Sequence, residues 1–190
     1  MKSQLNNKPM QTDELIFKYL NKGEHKRELG RYWATDIYKI KKKQITPENF
    51  FEVHPINDIE IAGRMLDGMA NEMLLKDIYD FCNVSYKYGE ETKREMKIDD
   101  EITLVSKPDF EFKDWIDELK NPIRERDEIP PWYIYQLECE YRACGKPVRM
   151  GVFVHPFNIH YTEFVPSDRR WNNIVKTLKD FHAALKKLNK

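Results

Sequence analysis

Cysteine is scarce in this chain of 190 residues, which contains only three. Cys82, Cys139 and Cys144 are an odd number, and no two of them form a Cys-x-x-Cys pair. A disulfide framework and a zinc ribbon both need more cysteines at closer spacing, so the sequence encodes neither. We therefore expect the three thiols to be reduced.

Long apolar runs are also missing. No segment approaches the roughly 20 apolar residues of a membrane-spanning helix, and residues 1–7 lack the apolar stretch of a signal peptide. Aromatic residues still make up 13% of the chain and charged residues 34%, at a mean hydropathy of −0.76. This composition favours a folded chain over a disordered one. We expect a soluble cytoplasmic protein without membrane contact, with one compact domain over residues 1–190.

Several kinds of catalytic motif are absent as well. No glycine-rich phosphate loop, Ser/His pair or Cys/His pair stands out, which leaves ATP use and acyl transfer without support. The five histidines show no metal-ligand spacing, and we assign no chemistry to them: His25, His54, His155, His160 and His182.

The net charge is zero, but the charges are unevenly distributed. Residues 1–50 contain 11 Lys and Arg against 6 Asp and Glu, residues 166–190 contain 7 against 2, and the segment between contains 14 against 24. Basic ends could grip DNA phosphates around an acidic centre that collects cations. The basic residues that we assign to DNA binding are Lys41, Lys42, Lys43, Arg169 and Arg170. Alternatively, these charges belong to solvated helix faces.

Hydrophobic periodicity predicts an α/β arrangement. Helical patterns begin near residue 12 and cover residues 28–40, 58–81, 132–143 and 168–188, the last with Asp168 as the N-cap acceptor. Strand patterns cover residues 84–88, 94–98, 101–111, 115–120, 147–155 and 159–165, while residues 121–131 are predicted to form a loop. On the long helix we interpret Met65, Met69 and Met73 as core packing.

Glu118 and Lys120 fall two apart on the predicted strand of residues 115–120. Such residues project from the same face, about 7 Å apart, and a neighbouring strand that carries Asp109 would lie roughly 5 Å away. Hydrolysis of a phosphodiester needs a divalent metal held by hard oxygen ligands and a cation near the developing negative charge. Asp109 and Glu118 could hold the metal, and Lys120 could be the cation.

These residues resemble the PD-(D/E)XK nuclease superfamily on its exonuclease side, which includes lambda-type exonucleases and RecB-like nucleases, CRISPR-associated ones among them. Pro108-Asp109 matches the Pro-Asp motif, and Glu118-Leu119-Lys120 matches Glu-x-Lys. Gly68-x-x-x-Glu72 has the lambda-type form of the upstream helix. The match covers about residues 57–165 and leaves basic helical ends at residues 1–50 and 166–190.

The resemblance implies a restriction-endonuclease-like core, with a mixed central sheet flanked by helices. It also implies a Mg²⁺- or Mn²⁺-dependent nuclease, an exonuclease, that acts on single- or double-stranded DNA. Glu72 becomes a metal ligand beside Asp109 and Glu118, and Gln136 on the following helix joins Asp109, Glu118 and Lys120 as a catalytic residue. Homo-oligomer formation and a role in DNA recombination, repair or phage and CRISPR defence are left open.

The chain also departs from the family. Asn71 stands where RecB-like members have His, Asp117 interrupts an otherwise apolar strand, and Glu140 stands where a Tyr often follows the Gln. These three departures support the alternative of an inactive nuclease-fold module that binds nucleic acid or a partner. Three cysteines cannot supply the four ligands of the iron–sulfur cluster that many CRISPR-associated relatives hold. A site-specific restriction enzyme shares the motifs, but this chain has little room for recognition elements.

Overall fold

The computed structural model describes residues 12–23, 27–52, 54–121, 129–154 and 158–189, and within these ranges it contains five α-helices and eight strands. The helices are α1 (Thr12–Leu20), α2 (Ile37–Lys41), α3 (Ile59–Phe81), α4 (Pro131–Cys144) and α5 (Asp168–Leu188). The strands are β1 (Arg31–Trp33), β2 (Lys87–Tyr88), β3 (Arg94–Lys97), β4 (Thr103–Ser106), β5 (Phe110–Glu111), β6 (Ile116–Lys120), β7 (Val148–Val154) and β8 (Asn158–Glu163).

The strands form two sheets. The larger sheet has the order β2-β5-β6-β7-β8, with β6 parallel to β7 and the other pairs antiparallel. The smaller sheet has the order β1-β4-β3, with β1 parallel to β4 and β3 antiparallel to it. Strand β6 is therefore the middle strand of a mixed sheet, and its first four residues are buried.

Helices α3 and α4 cover opposite faces of the larger sheet. On β6, Ile116 packs in a cluster with Leu137 of α4, whereas Leu119 packs with Leu75 of α3. Because side chains alternate along a strand, the odd spacing between Ile116 and Leu119 accounts for these two faces. Gly151 on β7 makes this packing close, since a Cβ there would lie 2.8 Å from Leu119 Cδ2.

A third apolar cluster joins both ends of the described chain to the smaller sheet. Tyr32 of β1 and Leu104 of β4 are fully buried in it, together with Phe50, Leu178 and Leu185. Segments predicted as basic ends therefore also supply a large share of the apolar core, while α5 keeps Arg169, Lys176, Lys179 and Lys187 exposed.

Three sequence predictions are wrong in detail. Residues 28–40 do not form one helix: β1 is followed by a 3-10 turn at Ala34–Asp36 and by α2, because pairing with β4 outweighs helical periodicity. Residues 101–111 form two strands in different sheets, interrupted at Pro108. The N-cap of α5 is Ser167, whose Oγ accepts from Arg170 N at 3.4 Å, and not Asp168.

The methionine prediction for α3 is also wrong. Met65, Met69 and Met73 are 42%, 37% and 58% exposed, and only Ala62 and Leu75 of this helix are buried. Helix α3 begins after Asp58, whose Oδ1 accepts from the backbone N–H groups of residues 60 and 61. It contacts the sheet along a narrow line, so its apolar stripe is wider than its buried face.

The remaining helix and strand predictions agree with the structure to within a few residues. Most of the predicted loop at residues 121–131, part of the strand of residues 147–155, and both His25 and His155 lie outside the described residues. Within the described ranges, no helix is both long enough and apolar enough to cross a membrane.

Candidate active site

The side chains of Glu118 and Lys120 meet on one face of β6. The Lys120 ammonium donates a hydrogen bond to Glu118 Oε1, and Glu118 is only 3% exposed. The intervening Leu119 points to the opposite face, as the alternation of a strand requires. The register predicted from Glu-x-Lys is thus the one observed.

Asp117, which departs from the apolar pattern, is accommodated on the face opposite Glu118. Its two carboxylate oxygens each accept a hydrogen bond from Arg149 of β7 at 2.8 Å. The Arg149 guanidinium in turn lies 4.8 Å from the ring centre of Trp115 and 4.4 Å from that of Tyr161. A bidentate ion pair covered by aromatic rings explains how a carboxylate is tolerated in a buried strand.

Asp109 is attached to β6 by its own carboxylate. Asp109 Oδ2 accepts a hydrogen bond from the backbone N–H of Leu119 at 2.6 Å. The preceding Pro108 is buried, and its carbonyl accepts from Thr92 Oγ1 at 2.6 Å. The Pro-Asp motif is therefore fixed on both sides next to the Glu-x-Lys strand.

Glu72 reaches the same place from α3. A cavity of about 110 Å³ lies at the end of β6, and its walls are formed by Gly68, Glu72, Asp109, Glu118, Leu119, Lys120, Asn121 and Phe153. The phenol of Tyr88 on β2 lies beside Glu72 and interacts with its carboxyl group. The structure thus brings the three predicted carboxylates and the predicted lysine to one cavity.

Gln136 on α4 also contacts Glu118. Its Nε2 lies 2.5 Å from Glu118 Oε1 and 2.8 Å from Oε1 of Glu140, one helical turn further along. Glu140 is 1% exposed. Sequence reasoning noted Glu140 only as a missing tyrosine and missed Tyr88 altogether; the four-residue spacing of Gln136 and Glu140 on a helix was the available signal.

Crowding of acidic groups perturbs their protonation. Burial, and next the negative charge of Glu118, raise the pKa of Asp109 well above its usual range. Burial likewise raises the pKa of Glu72, although the Tyr88 hydrogen bond opposes the rise. Burial would lower the pKa of Lys120, but the charges of Glu118 and Asp109 outweigh it and the pKa rises. The lysine is thus kept charged among carboxyls that favour binding a proton or another cation.

The donor set fits a hard divalent cation. Glu118 Oε2 is buried and has no hydrogen-bond partner, so it is an oxygen with an unused lone pair beside Asp109 and Glu72. In the arrangement observed, however, no three His, Cys, Asp or Glu side chains of the described ranges are close enough together to hold a metal ion. Binding a cation there would require the three carboxylates to move closer.

Comparison with known proteins bears on the fold. No protein-family model matches this chain, and no curated protein matches it. The crystal structure of an alkaline exonuclease, LHK-Exo from Laribacter hongkongensis, is similar over 84% of this chain and 89% of its own, with a TM-score of 0.61 at 13% identity. This chain has the fold of an exonuclease.

Two further solved structures are similar. LHK-Exo in complex with dAMP has a TM-score of 0.63 at 15% identity, covering 84% of this chain and 89% of that one. SSO0001 has a TM-score of 0.61 at 15% identity, covering 90% of this chain and 85% of that one. The predicted fold class, a restriction-endonuclease-like α/β core with mixed sheets flanked by helices, is confirmed.

Beside the small cavity, the described residues of this chain form a larger cavity of about 560 Å³. Gln136 and Glu140 line it from α4, so these two residues separate it from Glu118. Its other walls combine aromatic, basic, acidic and polar side chains, among them Trp33, Asp36, Lys39, Phe51, Glu52 and Lys107.

The residues predicted to bind DNA lie at the C-terminal end of α2, where Lys42 and Lys43 follow the helix, and at the start of α5. Lys41 at the end of α2 donates to Asn173 Oδ1 of α5, and Lys42, Lys43 and Arg169 are exposed. Arg170 differs from them because its Nη1 lies 2.7 Å from Oε2 of the fully buried Glu138. The charge of Arg170 is therefore already balanced within the fold.

Proposed function

We propose that this protein is a metal-dependent DNA nuclease that hydrolyses phosphodiester bonds at the cavity at the end of β6. The observation that carries the proposal is the meeting of Glu72, Asp109 and Glu118 with Lys120 at one cavity of an exonuclease fold. The buried, unpartnered Glu118 Oε2 supports it further. We assign the metal, Mg²⁺ or Mn²⁺, to these three carboxylates, because hard cations prefer oxygen ligands.

When bound, the cation would polarise the phosphate and lower the pKa of an attacking water molecule. The chain's own residues have separate tasks. Asp109 is fixed by the Leu119 N–H, Glu72 lies beside Tyr88, and both carboxyls line the cavity. Lys120, still 16% exposed at its side chain, offers an ammonium to the negative charge that grows on phosphate oxygens during hydrolysis. Gln136 holds Glu118 in place by donating a hydrogen bond from its Nε2 to Glu118 Oε1.

The larger cavity favours an exonuclease within this class. About 560 Å³ adjacent to the site is in the size range of pockets that hold small ligands, and aromatic and basic walls suit a base and a phosphate. A volume of this size matches a terminal nucleotide and not a continuous duplex. The solved LHK-Exo complex with dAMP is in keeping with nucleotide binding by this fold.

A second candidate is an inactive module of the same fold that binds nucleic acid or a partner. The observation in its favour is that the described side chains do not already form a three-ligand metal site. The two candidates agree on binding and differ on turnover.

The test is cleavage of end-labelled DNA with Mg²⁺ or Mn²⁺. Linear single strands, linear duplexes and covalently closed circles should be compared, with Lys179→Ala, an exposed lysine of α5 that lines neither cavity, as the control. An exonuclease shortens the linear substrates and spares the circles. Cleavage of circles would make the protein an endonuclease, and no cleavage of any substrate would favour the binding module.

A further inference from the structure

Glu140 is a carboxyl group that the proposed chemistry does not use. It lies on α4 one turn after Gln136 and is 1% exposed. Its Oε1 accepts from Gln136 Nε2 at 2.8 Å, while the same nitrogen donates to Glu118 Oε1 at 2.5 Å. One amide group therefore uses both of its N–H bonds on two carboxyl oxygens.

We infer that Glu140 is a positioning residue that acts through Gln136 on Glu118, an inference that rests on the proposed function. With an oxygen acceptor on each side, the Gln136 amide has one favourable orientation. Rotating it by half a turn would place its own oxygen against Glu118 Oε1 and withdraw its N–H groups from both carboxyls. Removing the Glu140 oxygen instead leaves one buried N–H of Gln136 without a partner, which releases this constraint.

The consequence falls on Glu118. Its Oε1 receives hydrogen bonds from both Gln136 and Lys120, whereas its Oε2 is buried and receives none. The two donors thus occupy one oxygen and leave the other for a cation. By fixing Gln136, Glu140 determines which oxygen of Glu118 is available and where it lies.

A neighbour on the same helix shows what a structural glutamate looks like in this fold. Glu138 is fully buried, and its carboxylate is bound by Arg142, by Arg170 and by the backbone N–H of Ser167. Within the described part of the chain, Glu140 has no hydrogen bond to a cation, and its Oε2 has no partner. A buried carboxyl with so little compensation is a poor source of stability. The hydrogen bond from Gln136 therefore explains why a carboxyl group is present at residue 140 better than a contribution to stability does.

The test measures Mn²⁺ binding by electron paramagnetic resonance, which needs no turnover. Glu140→Met keeps the length of the side chain and removes the oxygens; Glu140→Gln keeps an oxygen that can accept from Gln136. We expect Glu140→Met to weaken Mn²⁺ binding at least about 10-fold, as the loss of outer-shell hydrogen bonds does in other metal sites. We expect Glu140→Gln to stay within about threefold of the wild type on the same scale.

Two controls make the result specific. Glu138→Gln alters a buried glutamate of the same helix and should leave Mn²⁺ binding unchanged. In a Gln136→Met background, Glu140→Met should have no further effect, because the residue acts through Gln136.

Unchanged Mn²⁺ binding in Glu140→Met would overturn the inference while leaving the proposed function intact. If Glu140→Met does not fold, the Mn²⁺ affinity of Glu140→Gln is the deciding measurement, and a tenfold loss of that affinity would overturn the inference. A wild type that binds no Mn²⁺ would remove the proposed function, and this inference with it.

Discussion

The carboxylate of Asp109 is bonded to the backbone of the strand that carries Glu118: Asp109 Oδ2 and Leu119 N are 2.6 Å apart. This hydrogen bond joins the Pro-Asp and Glu-x-Lys motifs directly, so the Asp109 carboxylate is held at a fixed distance from the backbone of β6. It also means that Asp109 has both a structural and a chemical task, which substitutions can separate.

Asp109→Asn should separate them. The amide oxygen can still accept from Leu119 N, whereas the charge needed for a cation is lost. Because the raised pKa shows that the ionised carboxyl is unfavourable at this position, the variant should unfold at the same temperature as the wild type or higher. Cleavage should fall by at least the roughly 100-fold that outer-shell changes can cause. Thermal unfolding and cleavage assays check both, and Asp109→Ala, which lacks the acceptor, should be the less stable of the two.

Lys120→Ala should lower cleavage by about 100-fold or more with little change in DNA affinity, because its charge matters chiefly to the transition state. It should also lower the free energy of unfolding, by up to about 3 kcal/mol, since Glu118 and Asp109 lose the cation beside them. Single-turnover rates and fluorescence anisotropy measure the two effects. If affinity falls while the single-turnover rate is kept, Lys120 is a binding residue instead.

The exposed basic residues should contribute to DNA affinity and not to the rate of the cleavage step. Changing Lys41, Lys42, Lys43 and Arg169 to Ala should weaken DNA binding and flatten its salt dependence, by about 0.9 in the log–log slope for each duplex phosphate that is no longer neutralised. Anisotropy titrations over a range of salt concentrations check this. An unchanged slope would show that these charges are only a solvated face.

Arg170→Ala is expected to behave differently from the other basic substitutions. Arg170 balances the fully buried Glu138, so its removal should lower the unfolding temperature before it affects DNA affinity. Calorimetry on Arg170→Ala and Arg169→Ala, two adjacent residues, makes the comparison. Equal stability of the two variants would contradict the role given to the Glu138 ion pair.

Stability should depend on pH through Glu140. Burial, and next the charge of Glu118, raise its pKa well above the ordinary 4.5, so the folded protein holds a proton that the unfolded chain releases. The stability of the wild type should therefore fall as the pH rises above about 4.5 and through the folded-state pKa. A difference of one in pKa corresponds to about 1.4 kcal/mol. Glu140→Gln removes this dependence, so denaturant titrations should find that its stability relative to the wild type increases as the pH rises above about 4.5. A constant difference would contradict the prediction.

How far the sequence predicts the site depends on the range of the interactions. Glu118 and Lys120 share a face because strand alternation is local, and Glu72 is predicted by the resemblance of Gly68-x-x-x-Glu72 to a family motif. The partners of the motif residues are not local. Tyr88 reaches Glu72 from β2, and the Gln136–Glu140 pair acts on Glu118 of another element, so helical spacing indicates that pair but not its partner on β6.

The wrong predictions of the fold have the same origin, because they also concern contacts between segments that are distant in the sequence. Strand β1 is three residues long and exists because β4 pairs with it across some 70 residues of chain, beyond the reach of periodicity. Met65, Met69 and Met73 have the spacing of a buried stripe, but burial depends on what the helix packs against.

The most direct test of the central claim is a cleavage assay of wild type and Glu118→Gln on linear DNA, with Mn²⁺ and then with excess chelator. Wild type should cleave with Mn²⁺ and stop when the metal is chelated, while Glu118→Gln should be folded, still bind DNA and be at least about 100-fold slower. Cleavage that survives chelation, or equal rates for the two proteins, would contradict it.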